Sequence, residues 1–157
     1  MKKLCLFAVA VSLMLFSASY ANAQSISAET LSKAIQSAVP VEFGYVDNTD
    51  YLMKREFSSL QNACKSHIVV CADSTNFSEF GVFLVEEAKD VKPCVERLGA
   101  YLDKRKEQFK NGIVYNANEY PKFENAKVFT VGQCVVYTIL DPVQNATVVQ
   151  TVKNILK

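Results

Sequence analysis

The stretch Cys64-Lys65-Ser66-His67-Ile68-Val69-Val70-Cys71 places two thiols around the only histidine of the chain. Written as C-x2-H-x3-C, the spacing suggests two chemistries. One is a metal site built from thiolate and imidazole ligands. The other is a thiol nucleophile activated by an imidazole base. Both need their atoms close together. The Ile68-Val69-Val70 run is β-branched and favours a strand. At ~3.3 Å per residue, His67 and Cys71 on one strand share a face but stand about 13 Å apart. Metal–ligand bonds of about 2.0–2.3 Å exclude one ion held by both. No recognisable nucleophile motif surrounds any cysteine, and a lone histidine lacks the third group that would orient it. The expectation is a strand with His67 near its start and a cysteine at each end, with no catalytic residue, metal or cofactor.

Other candidates are weaker. Glu86-Glu87 falls at a strand end, and Glu119 and Glu124 fall in an irregular stretch. Neither spacing fixes an acid–base pair, so solvated roles are expected. Asn76-Phe77-Ser78 and Asn145-Ala146-Thr147 are glycosylation sequons that matter only in a glycosylating host. Lys104-Arg105-Lys106 lies between Asp103 and Glu107 and reads as a solvated helix face. Phe43, Tyr45, Tyr51, Phe77, Tyr115 and Tyr120 lie in or beside loops, where core or loop-anchoring roles outweigh an exposed binding patch.

The elements that position these residues begin after residue 23. Met1-Lys2-Lys3, the apolar stretch from Leu4 to Phe16 and the Ala21-Asn22-Ala23 site have the form of a signal peptide cleaved before Gln24. Its removal leaves 134 residues, enough for one domain with a substantial core, and 15 basic against 16 acidic residues. That balance gives no footprint for nucleic acid, and no stable membrane insertion is expected once the signal is removed.

Ser27 can cap a helix carrying Leu31, Ala34, Ile35 and Ala38, which Pro40 ends. Residues 41–46 suit a short strand, and Asp50 suits the N-cap of a helix burying Met53, Phe57 and Leu60. Strands over 67–72 and 80–85 flank the turn residues Asp73-Ser74-Thr75-Asn76 and form an antiparallel pair. Asp90 precedes a long helix with Val91, Cys94, Leu98, Tyr101, Leu102 and Phe109 on its apolar stripe, ending at Asn111-Gly112. Gly132-Gln133 suits a type II′ turn between strands 127–131 and 134–140. Asp141-Pro142 opens a last helix burying Val148, Val149, Val152, Ile155 and Leu156. This order predicts an α+β fold, an antiparallel sheet of four to five strands with helices packed on it.

Cys64, Cys71, Cys94 and Cys134 remain after signal removal, an even number in an exported chain, which favours two disulfides. Cys64 and Cys71 are too far apart along a strand to join, since a bridge needs Cα atoms within about 7 Å. Strand 80–85 ends beside the start of 67–72, so the helix it feeds brings Cys94 near Cys64. Cys71 is then left for Cys134. The expected pairs are Cys64–Cys94 and Cys71–Cys134.

The stretch from Phe80 to Asp141 also resembles a known family. The resemblance is carried by Gly81-Val-Phe-Leu-Val85, by Val95-Glu-Arg-Leu98 with Lys104-Arg-Lys-Glu-Gln-Phe109, by Asn118-Glu-Tyr-Pro-Lys-Phe-Glu-Asn-Ala126, and by the Gly132 hairpin. The family is the group of small exported bacterial proteins, many of them lipoproteins, catalogued as domain of unknown function four-three-five-eight. The resemblance implies an α+β domain outside the cytoplasm, and supplies no catalytic residues. Many members end their signal in a lipid-modified cysteine. Here Ala23-Gln24 stands at that point, so no lipid anchor is expected. The functional expectation is an exported, non-catalytic module, periplasmic or secreted, that binds a protein, peptide or glycan partner. A thiol enzyme using His67 and a structural role in envelope assembly are the alternatives.

Overall fold

The computed structural model describes residues 26–73, 76–110 and 117–157. The expected signal peptide and cleavage point, the position compared with a lipid anchor, Ser74, Thr75, Tyr115 and the expected Asn111-Gly112 helix stop all lie outside the described residues.

Helix α1 (Ala28–Ala38) is capped by Ser27, whose side chain accepts from the Thr30 N–H, and it buries Leu31 and Ile35. A turn through Gly44, at φ 79, leads into β1 (Tyr45–Asp47), shorter than the 41–46 expected. Helix α2 (Thr49–Arg55) follows. Its N-cap is Asn48 rather than Asp50, and Asp47 accepts from the Thr49 N–H at 2.8 Å. The helix stops at Arg55, and a 3₁₀ turn over Ser58–Leu60 lets Phe57 and Leu60 reach the core.

Strand β2 (Cys64–Ala72) begins three residues before the expected start and carries a bulge at Lys65, where its register with β3 (Glu79–Val85) shifts. Helix α3 (Val91–Gln108) turns Cys94, Leu98, Tyr101 and Leu102 inward, but Asp90 makes no side-chain cap. A short helix α4 (Tyr120–Glu124) precedes the hairpin of β4 (Lys127–Val131) and β5 (Cys134–Ile139). Gly132 at its turn takes φ 58 while Gln133 has no positive φ, which is type II′ geometry. Asp141 caps α5 (Pro142–Ile155) by accepting from the Val143 and Gln144 N–H groups, with Pro142 in the first turn.

The fold is α+β. The strands form one antiparallel sheet in the order β1-β2-β3-β5-β4, with β3 and β5 buried along their whole length. Alternation sends Val69, Phe83, Val85, Val135, Tyr137 and Ile139 to one face, against α2, α3 and α4. Val70, Phe80, Val82, Leu84, Cys134 and Val136 go to the other, against α1 and α5. With helices on both faces, the central strands are apolar on both parities.

Candidate binding cleft

Strand β3 is apolar except at its first residue. Glu79 is 4% exposed, with Cys71 of β2 and Ile139 of β5 as its cross-strand neighbours. A buried carboxylate is costly unless its oxygens are paired. Tyr137 donates to Glu79 Oε1 at 2.6 Å and Tyr101 donates to the same oxygen at 2.8 Å. Arg105 approaches Oε2 at 3.5 Å. Burial, reinforced by the Glu79 charge, pushes both phenols well above their ordinary range, so both stay protonated and keep donating.

Arg105 is drawn inward by this knot. Its guanidinium lies over the Phe123 ring at 5.9 Å. Its Nε is buried with no hydrogen-bond partner. The expectation that Lys104-Arg105-Lys106 is a solvated helix face therefore fails at Arg105, because α3 turns that residue toward Glu79. Lys104 does face outward, and its Nζ meets Glu56 at 2.6 Å.

Two cavities open on either side of this arginine. One, about 240 Å³, lies between α2 and α3, with Arg55, Glu56, Lys104 and Gln108 on its walls. The other, about 230 Å³, reaches the sheet end at Asn48, Cys71, Ser78 and Glu79. Tyr51, Leu52, Tyr101 and Arg105 line both, so the two are lobes of one cleft. Arg55 donates to the Tyr51 hydroxyl at 3.0 Å from the next turn of α2. Aromatic and aliphatic walls around a few converging cationic groups are the makeup of a pocket that orients a small polar group.

Of the residues singled out by spacing, Cys71 lines the cleft, whereas Cys64 and His67 fall elsewhere. The bulge at Lys65 puts Cys64, His67 and Cys71 on one face of the sheet, strung along β2 rather than gathered. His67 stacks on Phe83 with ring centroids 6.4 Å apart, and its Nδ1 is buried without a partner. Burial holds its imidazole below the usual histidine value, with Asp50 pulling weakly the other way. Among the described residues, no group of three or more His, Cys, Asp and Glu side chains is placed to hold a metal ion. No described helix is long and apolar enough to cross a membrane.

The four cysteines among the described residues, Cys64, Cys71, Cys94 and Cys134, are free thiols in the structure. Cys64 and Cys94 share a core cluster, where the nearness of the two thiols lowers that of Cys64 and raises that of Cys94. The expected Cys71–Cys134 pair is overturned. Strands β2 and β5 both run antiparallel to β3, so they run parallel to each other and begin at the same end of the sheet. Cys71 pairs with Glu79 while Cys134 pairs with Leu84, five residues along β3, or about 17 Å. Cys134 also faces α1 and α5, the opposite side from Cys71. Burial pushes the Cys134 thiol up to about 12 and raises that of Cys71, where Glu79 adds to the effect.

Glu119 is not solvated as expected. It accepts from Lys122 at 2.7 Å and from the Phe77 N–H at 2.9 Å, tying α4 to the start of β3. Asn145 is buried, donating to Leu140 O and Asn125 O, so this sequon offers no acceptor for a glycan. Of the loop aromatics, Phe43 and Tyr51 are exposed, whereas Tyr45 packs on Phe80 and Phe77 packs on Phe123. Glu79 and Arg105 escaped the sequence reading. One signal could have found Glu79: it is an acidic residue opening a run that is otherwise wholly apolar, Glu79 to Val85.

No curated protein and no solved structure matches the chain. The family model described as "Domain of unknown function (DUF4358)" matches residues 46–140, a span running from β1 to the end of β5 and containing the whole cleft. The chain belongs to that family.

Proposed function

We propose that the protein is an exported, non-catalytic binding module whose cleft between α2, α3 and the end of the sheet takes an anionic group, the carboxylate of a peptide partner. The signal-like N-terminus supports export. The observation that carries the binding reading is Arg105. Its Nε is buried and unpaired at the junction of the two cavity lobes, and its acid partner among the described residues, Glu79, is at the long distance of 3.5 Å. A buried donor without an acceptor is uncommon and calls for one. The planar guanidinium offers a fork that matches a carboxylate, and Arg55 adds positive charge at the rim, where Lys104 is paired with Glu56. Tyr51, Leu52 and Tyr101 supply apolar wall for the residues preceding that carboxylate.

Backbone NMR titration with short peptides tests the reading, each peptide prepared with a free and with an amidated C-terminus. Free-acid peptides are expected to shift the amides of Tyr51, Leu52, Tyr101 and Arg105, amidated ones are not, and R105Q is expected to abolish the response. Equal responses to both forms, or none to either, would overturn it.

A further inference from the structure

We infer that Cys64 and Cys94 are a disulfide-forming pair, a redox modification site that fastens the bulged start of β2 to the first turn of α3. The geometry comes from the short path between them. Cys64 lies directly across from Val85, the last residue of β3. The chain leaves β3 held by a bond from the Glu86 N–H to Ala63 O at 2.8 Å, makes one 3₁₀ turn over Ala88–Asp90, and enters α3 at Val91. The first turn of α3 therefore comes back over the strand end it has just left. Cys94, fully buried, packs in the same cluster as Cys64 and Val85. The bulge at Lys65 is what makes this possible: with unbroken alternation Cys64 would fall on the opposite face from His67 and away from α3.

The other two thiols do not compete. Cys71 lies at the far end of β2, and Cys134 faces the other side of the sheet. In the folded protein the neighbouring Cys94 thiol holds Cys64 below its ordinary value, while Cys94 itself is raised. The reaction is exchange with a disulfide reagent, whether an exported dithiol oxidase or a small disulfide. Cys64 thiolate attacks one sulfur of the reagent, displaces one reagent thiolate and leaves a mixed disulfide. Cys94 then loses its proton and attacks the Cys64 sulfur, displacing the second reagent thiolate. The two protein thiols are oxidised, the reagent is reduced to two thiols, and both protons end on it. Because both cysteines are buried in the native state, the bridge closes before the core does. Its effect is to anchor α3, whose inward face continues from Cys94 through Leu98 to Tyr101 of the cleft. The bridge itself does not depend on the binding reading.

The test is refolding of the full chain in a buffer of oxidised and reduced glutathione, followed by intact mass and non-reduced peptide mapping. The expected product is lighter by two hydrogens, joins the peptides holding Cys64 and Cys94, leaves Cys5, Cys71 and Cys134 open to alkylation, and melts higher than the dithiothreitol-reduced protein. C64S and C94S are each expected to abolish the mass loss. Should either variant fail to fold, the wild-type map still decides. Alkylation of both Cys64 and Cys94 after oxidative refolding, or a dominant bridge through Cys5, Cys71 or Cys134, would overturn the inference.

Discussion

Tyr137 of β5 lies directly across the sheet from Gly81 of β3, and its ring occupies the space that a Cβ at position 81 would need. Phe83, two residues along the same face, closes the other side of that space. The glycine is thus fixed by close packing rather than by a turn, since it has no positive φ. Its absent side chain lets the Tyr137 ring lie flat enough for the hydroxyl to reach Glu79. Gly81→Ala is expected to cost about 1–3 kcal/mol, the usual range for overpacking a filled core. Urea denaturation measures it, and a loss below about 0.5 kcal/mol, within ordinary surface-mutation scatter, would contradict this account.

Glu79 holds two phenols and an arginine, so its removal should leave three donors without their acceptor. Glu79→Leu is expected to destabilise by about 3–5 kcal/mol, as breaking a buried charged network does. Tyr137→Phe should cost less, about 1.5–3 kcal/mol, because Tyr101 still donates to the same oxygen. If the two substitutions prove equal in equilibrium unfolding, Glu79 is not the hub of the knot.

The elements themselves were largely legible in the sequence, for reasons visible at particular residues. Ser27 and Asp141 cap their helices because each is a short polar acceptor placed just before an apolar periodic run. Gly132 forms its turn because a positive φ is required there. What the sequence hid depends on strand order. Nothing local tells that β5 inserts beside β3 and runs parallel to β2, and that single fact separates Cys71 from Cys134. The bulge at Lys65 is equally silent, yet it decides which face Cys64 takes. Arg105 was hidden differently. Within a mixed-charge helix run it looks like its neighbours, and only the phase of α3 against Glu79 draws it inward.

Asn145 gives a prediction on both stability and modification. Its amide donates to Leu140 O at 2.9 Å and to Asn125 O at 3.0 Å, and its oxygen meets the Thr138 hydroxyl. These bonds tie α5 to the end of β5 and to the residues just before β4. Asn145→Leu leaves two carbonyls and a hydroxyl without their partner, and at about 1–3 kcal/mol for each stranded group a cost of at least about 3 kcal/mol is expected. Expressed through a glycosylating secretory pathway, the folded protein should carry no glycan at this position. An intact mass showing occupancy at Asn145 would mean that α5 docks otherwise than described.

His67 supplies the pH dependence. Burial holds its folded-state imidazole below the ordinary value of 6.5, with Asp50 opposing more weakly. Between that lowered value and 6.5 the unfolded chain binds a proton that the folded protein does not, so stability rises with pH across the window. The contribution is fully present above pH 6.5, falls as pH drops below it, and levels off once the folded imidazole is also protonated. Its Nδ1 is buried without a partner and its ring lies on Phe83, so protonation in place gains no acceptor at that nitrogen. Urea midpoints measured from pH 7.5 down to pH 5 should therefore fall more steeply for the wild type than for His67→Gln. The carboxylates common to both proteins cancel in the difference. Parallel curves for the two proteins would show that the imidazole titrates freely, and that its packing against Phe83 does not exclude the charged form.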